Sequence, residues 1–274
     1  MLTLHNALGY PKYLLGTYRL ARDGCYAATK CAIAAGYLGV DTGSIYRNEA
    51  FVAAAIQDSK RPVFMQTKVQ PSDMGHIEAM AAFEGSLKQL TVPAVDMLLI
   101  NWPGKAKILP SSPENRKARI DTWRALEEIY RSGKAKAIGV SNFTVTHLKQ
   151  LMEDGAEIVP MVNQFEVHVQ LQQADLVKYC REHKIIAQAY SPFGGQGAPV
   201  LKLLGDFKHP APAVALKAAA WLADSVVLKS ATPDRIVENF KHANEQWELS
   251  EADWVEISKL EACYHYCWNP YTVA

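Results

Sequence analysis

The chain has 274 residues, a formal net charge of +1 and five cysteines. This length suits one large domain with a substantial core, and the near-neutral charge excludes a strong attraction to nucleic acid or to an anionic membrane. No apolar run approaches the roughly 20 residues of a membrane helix, and the first residues lack the pattern of a signal peptide, so we expect a cytoplasmic protein.

The cysteines do not indicate a metal site. Cys263, His265 and Cys267 lie close together near the C-terminus, but no second cluster at zinc-like spacing accompanies them. We therefore expect reduced structural thiols and no metal ligands.

At the start of the chain, two short apolar segments predict a β-hairpin. They are Leu2-Thr3-Leu4 and Tyr13-Leu14-Leu15, on either side of a turn-like segment at residues 5–9. We expect this hairpin to close the lower end of the fold.

Counted from Leu14-Leu15-Gly16, eight apolar runs lie along the chain, and each ends in a polar or titratable residue. Helix-length amphipathic segments separate them, at intervals of very roughly 25–35 residues, which is typical of repeated strand–helix units. The pattern predicts a (β/α)8 TIM barrel of the α/β class, a single domain over residues 1–274, with its chemistry at the carboxyl ends of the strands. The residues that end the eight runs are Thr17, Asp41, Lys68, Asn101, Ser141-Asn142, Asn163-Gln164, Tyr190-Ser191 and Lys229-Ser230.

The segments between these runs predict helices and loops. Helices are expected at about 23–35, 48–59, 75–90, 121–132 and 250–260, with a polar loop at 103–117 that is long enough to cover part of the barrel mouth. The glycine-rich segment 191–197 has neither the G-x-G-x-x-G spacing of a Rossmann turn nor that of a Walker A loop. A nucleotide, if bound, is held by other means.

Three residues on neighbouring strand ends suggest acid catalysis. Tyr46 follows Asp41 after a short turn, and Lys68 ends the next strand. An ammonium within ~4–6 Å lowers the pKa of a phenol from about 10, so Lys68 would activate Tyr46 as a proton donor while Asp41 holds the lysine. The alternative is that Asp41 and Lys68 form an ordinary buried ion pair.

Other strand ends offer binding groups. Ser141, Asn142 and Gln164 can hold a carboxamide through paired hydrogen bonds, and Tyr190 offers a ring for stacking. Lys229, Ser230 and Arg235 form an anion site at the last strand end, where barrels commonly bind phosphate, although a solvated helix start explains them equally well.

Six motifs, in this order and spacing, resemble those of the aldo-keto reductase family. They are Asp41–Glu49, Leu98–Pro103, Gly139–Phe143, Asn163–Glu166, Tyr190–Pro192 and Lys229–Asn239. The resemblance implies a barrel that reduces aldehydes or ketones with NADPH, with Tyr46 as proton donor, Asp41 and Lys68 tuning it, and a tail over the mouth. By the same resemblance, the cofactor-binding residues are Gly16, Thr17, Asp41, Ser141, Asn142, Gln164, Tyr190, Ser191, Phe193, Lys229, Ser230, Arg235, Glu238 and Asn239.

The substrate is expected to be a small carbonyl compound. Tyr18, Tyr46, Trp102 and Trp268 are the candidate substrate-binding residues, and they suggest an apolar wall. The alternative for the aromatic tail is simple packing against the barrel. We expect a monomer.

One position departs from the family pattern. Asn101 stands before Trp-Pro where the family usually has His. Its amide still donates a hydrogen bond but cannot titrate, which predicts reduced but real activity and argues against the enone reduction of a subgroup with Glu here. Two alternatives remain open: a barrel that binds NADPH without turnover, and a Schiff-base aldolase with Lys68 as nucleophile.

Overall fold

The computed structural model describes residues 1–274, and eight parallel strands form a closed barrel at its centre. The barrel strands, in sequence order around the ring, are β3 (Tyr13–Gly16), β4 (Gly39–Asp41), β5 (Phe64–Val69), β6 (Met97–Ile100), β7 (Ile138–Ser141), β8 (Val162–Glu166), β9 (Ile186–Tyr190) and β10 (Ser225–Leu228). The predicted (β/α)8 fold is confirmed.

Helices surround this barrel. They are α1 (Arg22–Ala35), α2 (Glu49–Ser59), α3 (His76–Leu90), α4 (Glu114–Arg131), α5 (Val145–Glu153), α6 (Ala174–Glu182), α7 (Ala211–Leu222), α8 (Pro233–Asn244) and α9 (Glu251–Ser258). None of them combines the length and the apolar character that crossing a membrane requires.

The strands alternate between two apolar environments. Residues that face outward, such as Val140, join the main core under the helices, while Leu14, Met97 and Leu99 fill the lower barrel interior. Gly139 leaves room for this filling, because an added Cβ there would lie 2.8 Å from a methyl carbon of Leu99 and 2.5 Å from a backbone oxygen.

The hairpin prediction was correct in kind and wrong in its second arm. β1 (Leu2–Thr3) pairs antiparallel with β2 (Gly9–Tyr10), whereas Tyr13–Gly16 is the first barrel strand. The turn at Ala7, which has a positive φ, makes the hairpin shorter than the apolar pattern indicated. The hairpin does close the lower end, where Asn6 Nδ2 donates to the carbonyl of Lys136 and Tyr10 is fully buried.

The loop predicted at 103–117 ends earlier than expected, because α4 begins at Glu114 rather than Asp121. The charged residues at the start of α4 had been assigned to the loop. Asn115 explains the early start: its side chain accepts from the backbone N–H of Lys105 and donates to the carbonyls of Leu109 and Pro110, so it folds the loop back onto the helix. The bounds of the other predicted helices differ from the structure by one or two residues.

The C-terminal tail crosses the barrel mouth, as expected. The Glu166 carboxylate accepts the backbone N–H groups of Tyr266, at 2.9 Å, and Cys267. Farther along, His147 Nε2 donates to the carbonyl of Val273, at 3.0 Å, and Arg119 donates to that of Ala274, at 2.6 Å. The tail is thus fixed at two separated places.

The His147 bond to the tail predicts an acid-sensitive contribution to stability. His147 Nδ1 accepts the N–H of Thr144 while Nε2 donates, so the ring must be neutral. Burial lowers the pKa of His147 to about 4, from about 6.5 in an unfolded chain. Because the folded pKa is the lower one, this contribution is complete above pH 6.5 and is lost as the pH falls toward 4, by about 2.5 kcal/mol at pH 4.5.

Urea unfolding of the wild type and His147→Gln at pH 7 and pH 4.5 measures this effect. We expect the free energy of unfolding to fall by about 2.5 kcal/mol less in the variant than in the wild type over this interval. Equal falls in the two proteins would show that His147 is not the titrating group.

Candidate active site

The turn after β4 delivers Tyr46 to the barrel mouth. Asp41 ends the strand, Thr42 and Gly43 turn the chain, and Tyr46 closes a short 3-10 turn before α2. Asn48 holds this turn, because its Nδ2 donates to the carbonyls of Thr17 and Leu20 and its Oδ1 accepts from the Thr42 hydroxyl. The phenol therefore sits on a rigid support.

Lys68 is the centre of the site. Its ammonium donates to Asp41 Oδ1 at 2.6 Å, to the carbonyl of Thr42 at 3.0 Å and to the Tyr46 hydroxyl at 3.1 Å. These bonds use all three N–H groups of the lysine. The Tyr46 oxygen accepts from Lys68, and its own proton has no acceptor within the chain. The three predicted residues thus meet, with a phenolic proton available to a ligand.

The pKa of Tyr46 differs from the simple expectation. Burial raises it above its ordinary value, and the lowering by Lys68 does not fully offset this, since Asp41 also raises it. The predicted effect of the ammonium is present, but the phenolate also loses hydration in this site, and that larger effect was not predicted. Burial lowers the pKa of Lys68, but Asp41 and Tyr46 raise it more, so the lysine stays charged. Tyr46 therefore holds its proton at neutral pH.

Asn101 lies beside this group. Its backbone N–H donates to the carbonyl of Val69, and its own carbonyl accepts Asn142 Nδ2 at 2.9 Å. Its partly exposed side-chain amide makes no hydrogen bond within the chain. The amide is consequently free to donate to a ligand at the mouth.

The predicted carboxamide residues form a connected group. Ser141 donates to the carbonyl of Gln164 at 2.8 Å, and the Asn142 amide donates to Ser141 Oγ and accepts from the Tyr190 hydroxyl at 2.8 Å. The Gln164 Nε2 donates to Asp41 and Gln188, and its Oε1 has no hydrogen-bond partner within the chain. Thus Gln164 presents an acceptor, while both N–H groups of Asn142 are already in use.

Two buried glutamines of this region did not emerge from the sequence reasoning. Gln66 donates to Asp41 Oδ1 at 2.6 Å, and Gln188 accepts from Gln66 and Gln164. Strand periodicity contained the signal, because Gln66 lies two residues before Lys68 and therefore on the same inward face.

The proposed anion site lies at the end of β10. An added Cβ at Gly16 would lie 2.7 Å from Val227 and 3.5 Å from Lys229 Cβ, so glycine lets the two strand ends approach. Burial, and then the positive charge of Arg19, lowers the pKa of Lys229. The Ser230 hydroxyl accepts the N–H of Thr232 just before α8.

The remaining residues predicted to bind the cofactor differ in how far their side chains are exposed. Arg235 and Glu238 are exposed on α8, whereas Asn239 is buried. Thr17 is fully buried and donates to the carbonyl of Asp41, so its side chain supports the turn. Ser191 Oγ lies 3.7 Å from Cys267 Sγ, and Phe193 packs on two apolar clusters. The cofactor contacts of these residues stay predictions.

Four aromatic residues were predicted to contact the substrate. The Tyr18 ring lies 5.1 Å from that of Tyr46, and Trp102 meets Trp268 of the tail edge to face at 6.2 Å. Tyr18 and Trp268 are also exposed. The four residues predicted to contact substrate thus form two ring pairs, Tyr18 with Tyr46 and Trp102 with Trp268, and their contact with substrate stays a prediction.

The comparisons with known proteins agree with this geometry. The family model described as the aldo/keto reductase family matches residues 9–210. The chain belongs to the aldo/keto reductase family. A 9,11-endoperoxide prostaglandin H2 reductase of Trypanosoma cruzi is 39% identical, with 94% of this chain and 90% of that protein covered. A glyoxal reductase of Bacillus subtilis is also 39% identical, with 94% and 91% covered.

A solved structure shows the same architecture. It is an aldo-keto reductase from a Medee basin deep-sea metagenome library, with a TM-score of 0.86, 36% identity and 96% of each chain covered. Membership in the aldo/keto reductase family makes the chain an oxidoreductase of carbonyl compounds. The aldolase alternative is not favoured, since Lys68 is protonated and all three of its N–H groups are engaged.

Proposed function

We propose that this chain reduces aldehydes and ketones to alcohols with NADPH, and that Tyr46 supplies the proton. The observation that carries the proposal is the Asp41–Lys68–Tyr46 group, in which the phenol accepts from an ammonium and keeps its own proton free. Such a phenol can donate to an oxygen that gains negative charge.

The chain's residues divide the work in this reaction. A reduced nicotinamide, when bound, supplies the hydride to the carbonyl carbon. Tyr46 binds the carbonyl oxygen through its hydroxyl and transfers that proton as charge develops, while Lys68 stabilises the phenolate left behind. The free amide of Asn101 donates a second hydrogen bond to the same oxygen. Hydride and proton together give the alcohol.

Other residues would hold the cofactor. The Gln164 oxygen can accept from the carboxamide, Tyr190 can stack on its ring, and Lys229, Ser230 and Arg235 can bind a 2′-phosphate. The name of one relative, the glyoxal reductase, supports small carbonyl compounds as substrates.

Consumption of NADPH tests the proposal. The assay follows the absorbance of the reduced cofactor with nitrobenzaldehyde, phenanthrenequinone and methylglyoxal as substrates. We expect turnover with at least one of them. Binding of NADPH without turnover of any of the three compounds would contradict the proposal.

The cofactor preference depends on the charges after β10. We expect the wild type to favour NADPH over NADH in kcat/KM, and Arg235→Leu to reduce this preference about tenfold, since one charge-assisted contact to the phosphate contributes about 1.4 kcal/mol. Lys208→Leu, a surface cation outside the site, serves as control. An unchanged preference in Arg235→Leu would remove Arg235 from the phosphate site.

Changes at Asn101 test its role as a donor. Asn101→Ala removes the free amide and is expected to lower kcat up to about 10²-fold. Asn101→His restores a titratable donor, so its pH profile of kcat/KM should acquire an ionisation near pH 6.5 that the wild type lacks. A wild-type profile that already shows this ionisation, or an Asn101→Ala variant of full activity, would contradict the assignment.

A further inference from the structure

The barrel interior beneath Asp41 contains a layer of buried amides. Gln66 and Gln188 are fully buried, and Gln164 is 4% exposed. Barrel interiors are usually filled by branched apolar side chains, and a buried amide is costly unless its groups are bonded. The layer therefore requires an account beyond packing.

The lower end of the layer fixes the direction of its hydrogen bonds. The carbonyl of Pro11 can only accept, so the Ser225 hydroxyl donates to it at 3.1 Å. Ser225 Oγ then accepts Gln188 Nε2, also at 3.1 Å, which turns Gln188 Oε1 toward the other two glutamines. That oxygen accepts from Gln66 at 2.8 Å and from Gln164 at 2.7 Å.

Every polar group of Gln66 is consequently engaged. One N–H donates to Gln188 and the other to Asp41 Oδ1 at 2.6 Å, while its Oε1 accepts the Tyr10 hydroxyl at 2.6 Å. A side-chain amide has two N–H groups, and both N–H groups of Gln66 face oxygen atoms that can only accept, Asp41 Oδ1 and Gln188 Oε1. Tyr10 belongs to the hairpin below the barrel, so the hairpin supports the amide from underneath.

Asp41 Oδ1 is where this layer meets the acid. The same oxygen accepts Gln66 at 2.6 Å, Lys68 at 2.6 Å and Gln164 at 3.0 Å. The negative charge of Asp41 opposes ionisation of Tyr46, whereas the positive charge of Lys68 favours it. The amide groups that donate to the Asp41 carboxylate offset part of this negative charge. They therefore also weaken the attraction between the carboxylate and the Lys68 ammonium.

We propose that Gln66, held by Tyr10 and Gln188, is a positioning residue of the proton donor. Its hydrogen bond to Asp41 offsets part of the carboxylate charge, so that the Lys68 ammonium interacts more strongly with Tyr46. The inference deepens the proposed function and rests on it for its catalytic meaning. Because Asn101 cannot ionise, the acid strength of this site depends on Tyr46 and its neighbours, so a residue that favours the phenolate matters here. Tyr18 and Tyr190 are the other titratable groups near the phenol.

The test is the ionisation of Tyr46 in the protein without cofactor. Replacing tyrosine with 3-fluorotyrosine lowers the phenol pKa into an accessible range. ¹⁹F NMR then follows the ionisation of each tyrosine as the pH changes. The resonance that is lost in Tyr46→Phe is assigned to Tyr46. We expect the Tyr46 midpoint in Gln66→Met to rise by about half a pH unit or more, an equilibrium change of at least about threefold.

A second variant guards against a failure to fold. Gln66→Met leaves the Tyr10 hydroxyl buried without a partner, whereas Tyr10→Phe/Gln66→Met removes both groups and avoids that cost. The double variant should show the same rise. Asn163→Met is the matched control, because Asn163 is a buried amide on β8 that bonds the carbonyl of Phe143 outside the layer.

A midpoint in both Gln66 variants that equals that of the control, or falls below it, would overturn the inference. This result is separable from failure of the proposed function. The titration needs neither NADPH nor a carbonyl compound, so turnover with an unmoved midpoint rejects only the role of Gln66. A moved midpoint in a protein without turnover rejects only the proposed reaction.

Discussion

Tyr46→Phe is expected to lower kcat for carbonyl reduction by about 10²–10⁴-fold, the usual contribution of a positioned general acid. The change removes one oxygen and leaves the ring, so the contact with the Tyr18 ring at 5.1 Å is retained. Affinity for NADPH should change little, since the phenol acts on the carbonyl oxygen. Steady-state kinetics and fluorescence titration of NADPH measure the two effects separately.

Tyr37→Phe is the matched control for this variant. Tyr37 is another buried tyrosine, and its hydroxyl donates to the carbonyl of Ile236, away from the mouth. It should lose stability but retain kcat. If Tyr46→Phe kept more than about a tenth of the wild-type kcat, the proton would have to come from another group.

Lys68→Met is expected to damage both stability and activity. It leaves the Asp41 carboxylate buried with only its amide donors, and breaking a buried ion pair costs about 3–5 kcal/mol. At about 3 kcal/mol the Tm should fall by roughly 6–12 °C. The phenolate of Tyr46 also loses its cation, so kcat should fall by about 10²-fold or more. Calorimetry and NADPH consumption measure the two losses.

The double variant Asp41→Asn/Lys68→Met separates these losses. Removing both charges leaves no unpaired buried ion, so the Tm should recover relative to Lys68→Met. The activity should stay low, because no ammonium remains beside Tyr46. Recovery of kcat together with the Tm would show that Lys68 serves only the fold.

The barrel and the proton-donating group could be predicted from the sequence because both depend on strand periodicity. A polar residue at the end of each apolar run predicts a shared mouth, and Asp41 and Lys68 fall on neighbouring strands in the structure. The start of α4 was beyond this reasoning, since it depends on contacts of Asn115 with a loop ten residues away in sequence. Charged residues fit an exposed helical turn and a loop equally well.

The amide layer and the pKa of Tyr46 also depended on distant contacts. Gln66, Gln188 and Tyr10 come from separate parts of the chain, and only the closed barrel brings them together. Counting charges near Tyr46 gave the effect of Lys68 correctly, but the larger effect of burial depends on how the folded chain, including the Tyr18 ring, packs around the phenol. The sequence does not reveal such coverage.

The attachment of the tail has a consequence for how the substrate range can diversify. The segment from Trp268 to Thr272 spans the distance between the Glu166 contact and the contacts of His147 and Arg119. Its aromatic residues Trp268 and Tyr271 are exposed, and neither side chain takes part in the bonds that hold the two ends. If these aromatic side chains contact the substrate as predicted, replacing them changes the preferred carbonyl compound and leaves the Asp41–Lys68–Tyr46 group as it is.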